Sequence, residues 1–123
     1  QNESVNIIQL GGWLRHSSLS VTGQYCKQIL NDCSFSKLYM GVDGIDFEYG
    51  LTTTDIREAE LNRSMMESAQ KTIVLADSSK FGRRGFAKIC NMEDVDIIIT
   101  DAGISPKNAA AVEALGIELI IAQ

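Results

Sequence analysis

Aspartates recur where apolar runs stop. KLYMGV (37–42) ends in Asp43-Gly44-Ile45-Asp46, TIVLA (72–76) in Asp77-Ser78-Ser79-Lys80, and VDIIIT (95–100) in Asp101-Ala102-Gly103. A single aspartate at such a place is ordinary turn chemistry. Three on one edge of a sheet form a rim of carboxylates that accept hydrogen bonds from the hydroxyls of a polyol or sugar, and charge-assisted bonds of this kind are the strong ones. Lys80, Arg83 and Arg84 add three cations within five residues of an otherwise acidic chain. Lys80 follows Ser78-Ser79, where hydroxyls, backbone N–H groups and an ammonium can jointly hold a phosphate. Arg83 and Arg84 read as a solvated basic turn. Thr52 and Thr53 are assigned to the pocket. Thr54 is assigned as a cap, because Asp55 and Glu58 already complement the dipole of the helix that follows.

These groups need elements to position them. VNIIQL (5–10) is a short β-type run ended by Gly11-Gly12, with Arg15 beyond it, and LSVT (19–22) is a second short strand. Tyr25, Cys26, Ile29 and Leu30 have helical spacing within 23–32. KLYMGV, TIVLA, VDIIIT and IELIIA (117–122) are strands, and FAKIC (86–90) is ambiguous, an edge strand being one reading. Residues 55–70 form the clearest helix. A second runs over 105–115, with Ser105 as N-cap, Pro106 at its first position and Gly116 as its stop. Apolar strands without clean alternation, separated by helices, predict an α/β fold: a Rossmann-like, mostly parallel sheet with helices on both faces. Its ligand crevice lies beyond the carboxyl ends of the strands.

The 123 residues suffice for a single domain with a real core. Hydrophobic residues make up 45%, which excludes a disordered chain, and no apolar run approaches the length of a membrane span. The net charge of −5 is unsuited to a nucleic-acid backbone. Cys26, Cys33 and Cys90 are odd in number and form no Cys-x-x-Cys pair. They read as reduced thiols of a cytoplasmic protein, with Cys26 and Cys33 on one helical face in the core. His16 has no partner at ligand spacing, so neither a metal nor a cofactor is expected. QNESVN lacks the features of a signal peptide, and there is no initiator Met. The expectation is therefore a single domain over 1–123 that is a C-terminal piece of a longer chain.

GVDGID, followed by GLTTTDIREAE, VLADSSKFGRRGF and VDIIITDAG, resembles the C-terminal effector domain of DeoR-family bacterial transcriptional repressors, and QLGGWLRHSSLSVTG upstream fits as well. The resemblance covers nearly the whole chain. It implies an N-terminal winged helix-turn-helix outside this chain, through which alone the protein would meet DNA. It also implies a phosphorylated sugar as inducer, control of a sugar (amino-sugar) catabolic operon, a homo-oligomer and no membrane partner. The implied fold is similar to that of ribose-5-phosphate isomerases, whose sugar-binding loop matches Asp43 to Asp46 and whose phosphate-binding Ser-Lys pair matches Ser79-Lys80. This chain departs from those enzymes. Gly44 stands where they have an acidic residue, and no lysine lies between Asp46 and Arg57. The family's phosphate loop lies upstream of residue 1.

Proton shuttling needs a base together with a group that stabilises the enediolate. Glu58 or Glu60 approximates the base, but the cationic partner is missing. The expectation is thus a recognition pocket rather than an enzyme, built from Asp43, Gly44, Asp46, Thr52, Thr53, Glu60, Asp77, Ser79 and Lys80, with no catalytic residue. An aldose–ketose isomerase using Glu58 or Glu60 is the alternative.

Overall fold

The computed structural model describes residues 13–14, 21–22 and 34–122. The expected strand 5–10, helix 23–32, Arg15, His16, Cys26 and Cys33 lie outside the described residues. Within the 19–22 run, β2 (Val21–Thr22) pairs antiparallel with β1 (Trp13–Leu14).

The main sheet is parallel, in the order β3 (Phe35–Gly41), β6 (Ala69–Leu75), β8 (Ile97–Asp101), β9 (Glu118–Ala122). Parallel neighbours need a crossover. Helix α1 (Ile56–Ser68) lies between β3 and β6, and α2 (Pro106–Ala114) between β8 and β9. The fold is therefore mixed α/β on a mostly parallel central sheet, consistent with the Rossmann-like class expected. Met40, Val74, Ile98 and Leu119 are in register across all four strands. The first three are buried in one core with Ala59 of α1 and Val112 of α2. On the alternate face, Tyr39, Leu75 and Ile120 stay substantially exposed.

Two strands were missed in the sequence, and a third was left ambiguous. β4 (Gly44–Asp46), β5 (Gly50–Thr53) and β7 (Ala87–Cys90) form a second, antiparallel sheet in the order β4-β5-β7. Residues 44–53, to which no element was assigned, are thus a hairpin, and the 86–90 run, for which an edge strand was one reading, supplies the third strand, at the edge of the sheet. β4 is only three residues long and contains an aspartate, so it carries no alternation to detect. β5 is buried throughout, and Ile45, Leu51 and Ile89 join the core of the main sheet. Helix α1 packs on both sheets.

Asp55 caps α1, not Thr54. Its backbone is extended, and its side chain accepts hydrogen bonds from the N–H groups of Arg57 (2.7 Å) and Glu58 (3.4 Å). The helix stops at Ser68, and Ala69 turns directly into β6, so the strand starts three residues earlier than its apolar run suggests. Ser105 caps α2 as expected, accepting from Asn108 N–H at 3.1 Å, and Gly116 follows that helix at φ +79°. Among the described residues, no helix is long and apolar enough to cross a membrane.

Candidate functional site

The strand-end aspartates share one edge. Gly41 pairs with Leu75, and Leu75 with Ile99. Each aspartate lies two residues further on, so the register sets Asp43, Asp77 and Asp101 level along the carboxyl ends of β3, β6 and β8. An N–H bond from Ala76 to the Ile99 carbonyl (3.1 Å) carries the pairing past the end of β6.

The second sheet brings the remaining groups to this edge. The segment after β6 runs through a short 3₁₀ turn, Ser78–Lys80, and is then fastened along the β4–β5 hairpin. Phe81 bridges to Ile45, and its ring stacks on Phe47 at 6.1 Å. Gly82 N–H donates to the Ile45 carbonyl (2.8 Å), and Gly85 N–H to Thr52 Oγ1 (2.7 Å). Arg84 donates to Asp46 Oδ2 through two nitrogens at 3.2 Å and lies 4.4 Å over the Tyr49 ring. The two loops that the sequence singled out, 43–46 and 77–80, are thereby joined.

The predicted site residues divide by what already holds them. Asp43 is exposed and is held from two sides. Its N–H donates to the Thr52 carbonyl (3.0 Å), and its Oδ2 accepts from the Thr53 hydroxyl (2.9 Å). Glu58 Oε2 lies 3.4 Å from the same hydroxyl. Asp46 is a turn-former: Oδ1 accepts from Glu48 N–H (2.9 Å) and Tyr49 N–H (2.8 Å), and Oδ2 faces Arg84. The Tyr49 N–H first, then the Glu48 N–H and the Arg84 guanidinium, hold its carboxyl below the usual range against opposing desolvation. Thr52 is fully buried, its hydroxyl anchoring Gly85. A Cβ on Gly44 would lie 2.5 Å from the Arg83 carbonyl oxygen and 2.6 Å from Thr52 Oγ1, so this glycine lets the two loops close on each other. Glu60 is exposed, and it is Glu58 that meets the Asp43–Thr53 pair.

At β6, Asp77 Oδ1 accepts from both the N–H (2.9 Å) and the hydroxyl of Ser79. These bonds lower the Asp77 pKa, nearby Lys80 adds to the effect, and Asp101 opposes it. Ser79 reaches a phosphate only by releasing Asp77, whereas the half-buried Lys80 ends the 3₁₀ turn beside it. Asp101, left out of the predicted set, accepts from Ser78 N–H (3.0 Å) and Gly103 N–H (2.8 Å). Its pKa is lowered by the Ser78 N–H first, then by the Ser78 hydroxyl and the Gly103 N–H. Its place as the third strand-end aspartate was the signal available for including it. Glu58 was weighed only as the base of an isomerase and Arg84 as part of a solvated turn; tertiary contacts bring both to the site.

The edge offers carboxylates for hydroxyls and an ammonium for an anion. Among the described residues, no group of three His, Cys, Asp or Glu side chains could hold a metal ion. A separate cavity of about 570 Å³ opens at the other end of the sheet, between the second half of α1 (Arg63, Met66, Glu67), the start of β6 (Thr72) and Lys88, Cys90, Asp94 and Asp96. Two of its polar side chains are held internally: Arg63 donates to the Lys88 carbonyl (2.6 Å), and Asp96 accepts from Thr72 N–H (2.8 Å). Burial pushes the Cys90 thiol up to about 12, with Asp94 adding, so this is no reactive thiolate.

A family model, the DeoR C terminal sensor domain, matches residues 1–102. The chain is 40% identical over 119 residues to a protein of Escherichia coli O157:H7 named as an aga operon transcriptional repressor, covering 97% of this chain and 44% of that protein. It is 32% identical over 120 residues to the HTH-type transcriptional regulator GlpR of Haloferax volcanii, covering 97% and 47%. It is 29% identical over 100 residues to a glycerol-3-phosphate regulon repressor of Haemophilus influenzae, covering 81% and 39%. The chain thus spans less than half the length of these relatives, all transcriptional regulators. With the family match over most of its length, it belongs to the DeoR C-terminal sensor domains, a family of regulatory sensors rather than enzymes.

Proposed function

We propose that this chain senses a phosphorylated sugar as the inducer of a DNA-binding repressor of a sugar catabolic operon, with an amino-sugar phosphate as the first candidate. The observation that carries the reading is the level row of Asp43, Asp77 and Asp101 with Lys80 beside it. A row of carboxylates with one ammonium matches a ligand that has several hydroxyls and one anionic group. Asp43 would read the sugar and Lys80 the phosphate. The glycerol-3-phosphate regulon repressor among the relatives has a phosphorylated polyol in its name, which supports this ligand class. DNA would be met through an N-terminal domain outside this chain, in a cytoplasmic homo-oligomer. Binding would shift the population of domain arrangements towards one that releases DNA.

Ligand-observed NMR with ribose 5-phosphate, glucose 6-phosphate and galactosamine 6-phosphate tests this. Saturation transfer to one of them without new product peaks is expected. Asp43→Asn should lose that transfer while keeping a folded spectrum. Product peaks that vanish in Glu58→Gln would instead make the chain an isomerase. No contact by any sugar phosphate, even with the full-length repressor, overturns the reading.

A further inference from the structure

Thr53 carries one hydroxyl between two carboxylates. Its Oγ1 donates to Asp43 Oδ2 at 2.9 Å and lies 3.4 Å from Glu58 Oε2. A threonine hydroxyl has a single proton, so it can serve only one of them at a time. The shorter contact gives it to Asp43. Thr53 is only 2% exposed, so a ligand arriving at the edge meets Asp43 and not Thr53. The residue is also on a firm base: β5 is buried throughout and is paired on both sides, with β4 and β7. Glu58 sits in the first turn of α1, which has the 13 residues Ile56–Ser68. At 1.5 Å per residue the helix runs about 20 Å, from the Asp43 site to Arg63, Met66 and Glu67 in the wall of the far cavity.

We propose that Thr53 is a positioning residue that couples the effector carboxylate Asp43 to helix α1, by turning its hydroxyl from Asp43 to Glu58 when a ligand hydroxyl takes over as donor to Asp43. In the empty site the shorter of the two contacts orients Asp43. A ligand hydroxyl that donates to Asp43 Oδ2 competes with Thr53 for that oxygen. The Thr53 O–H then turns towards Glu58 Oε2 and draws the first turn of α1 onto β5. Occupancy at one end of the sheet thereby becomes a change in a helix that reaches the other end. The ligand step rests on the sugar-sensing reading; the pairing of Asp43 with Glu58 through Thr53 does not.

The test compares wild type, Thr53→Val, which removes the hydroxyl at nearly constant shape, and Thr53→Ser, which restores it. Three quantities are read: the ¹³C carboxyl resonances of Asp43 and Glu58 without ligand, the Kd for the three sugar phosphates above, and amide exchange in the first turn of α1 with and without them. Thr53→Val should shift both carboxyl resonances, leave the Kd within about threefold of wild type, because one hydroxyl bond is lost from the free and the bound form alike, and abolish the ligand-dependent change in exchange. Thr53→Ser should restore the resonances and the exchange response. Wild-type resonances and a wild-type exchange response in Thr53→Val overturn the proposal. If wild type binds none of the three compounds, the sugar-sensing reading fails. The ligand-free resonances still decide the coupling: a shift in the valine variant reversed in the serine variant supports it, and no shift overturns it. If Thr53→Val does not fold, Glu58→Gln replaces it. Loss of the exchange response there supports the coupling, and an unchanged response overturns it.

Discussion

Asp43 and Asp46 are three positions apart in the chain and have different duties. Asp46 has both oxygens occupied, by the Glu48 and Tyr49 N–H groups and by Arg84, and closes a turn. Asp43 is oriented through one oxygen and exposed. Of the two, Asp43 has the acceptor capacity for a ligand hydroxyl. Gly44 between them is a packing residue. Gly44→Ala would place a methyl 2.5 Å from the Arg83 carbonyl oxygen, a backbone atom that cannot swing aside. The cost is expected to be about 1–3 kcal/mol, measured as a lower urea midpoint with unchanged slope. The loops carrying Asp43 and Lys80 would separate, so sugar-phosphate affinity should fall in parallel. A variant as stable as wild type would show that the two loops are not in contact there.

Among the elements, the antiparallel sheet does the positioning. β5 carries Thr52 and Thr53 on alternate faces. Thr52 fixes the 82–86 segment and Thr53 fixes Asp43, so one strand ties both halves of the site together. Helix α2 provides a contrast. It packs beside β9, and none of its residues is in the candidate site. Its start is set locally by Ser105 and Pro106. Ser105→Ala should cost about 1 kcal/mol in urea denaturation and leave the Kd for sugar phosphate unchanged. A loss of binding there would place α2 in the site after all.

Over the whole molecule, the carboxylates couple stability to pH. Asp46, Asp77 and Asp101 all have native pKa values below their ordinary 3.8, because N–H and O–H donors stabilise the charged forms. A lowered native pKa means that the unfolded chain binds protons first as pH falls. The stability from these groups is therefore complete above the ordinary value and is lost as pH drops through the lowered native ones. The urea midpoint is expected to be flat with respect to these three groups down to about pH 5 and to decline as the pH falls below their ordinary 3.8. Asp101→Asn should have a shallower decline, because one of the groups with a lowered native pKa is gone. An equal slope in the variant would mean that Asp101 does not hold the Ser78 and Gly103 N–H groups. The net charge of −5 at neutral pH makes this chain a poor match for a nucleic-acid backbone.

The parallel strands, both described helices and the cap at Ser105 were legible in the sequence, because each follows from local pattern: apolar runs, helical spacing, and a Ser-Pro start with a Gly stop. The aspartate row was legible too, since the same residue type ended three such runs and parallel register is nearly uniform. The β4–β5–β7 sheet was not. Its strands have three or four residues each and gain stability only from each other and from the core beneath them. The role of each polar residue was likewise settled by tertiary structure. Hydrogen bonds link Thr53 to Asp43 across ten positions, Gly85 to Thr52 across 33 and Arg84 to Asp46 across 38. Sequence alone determined which residue types would gather at the carboxyl edge. Which of them stay open to a ligand depended on where their hydrogen bonds found partners, and those partners are distant in the chain.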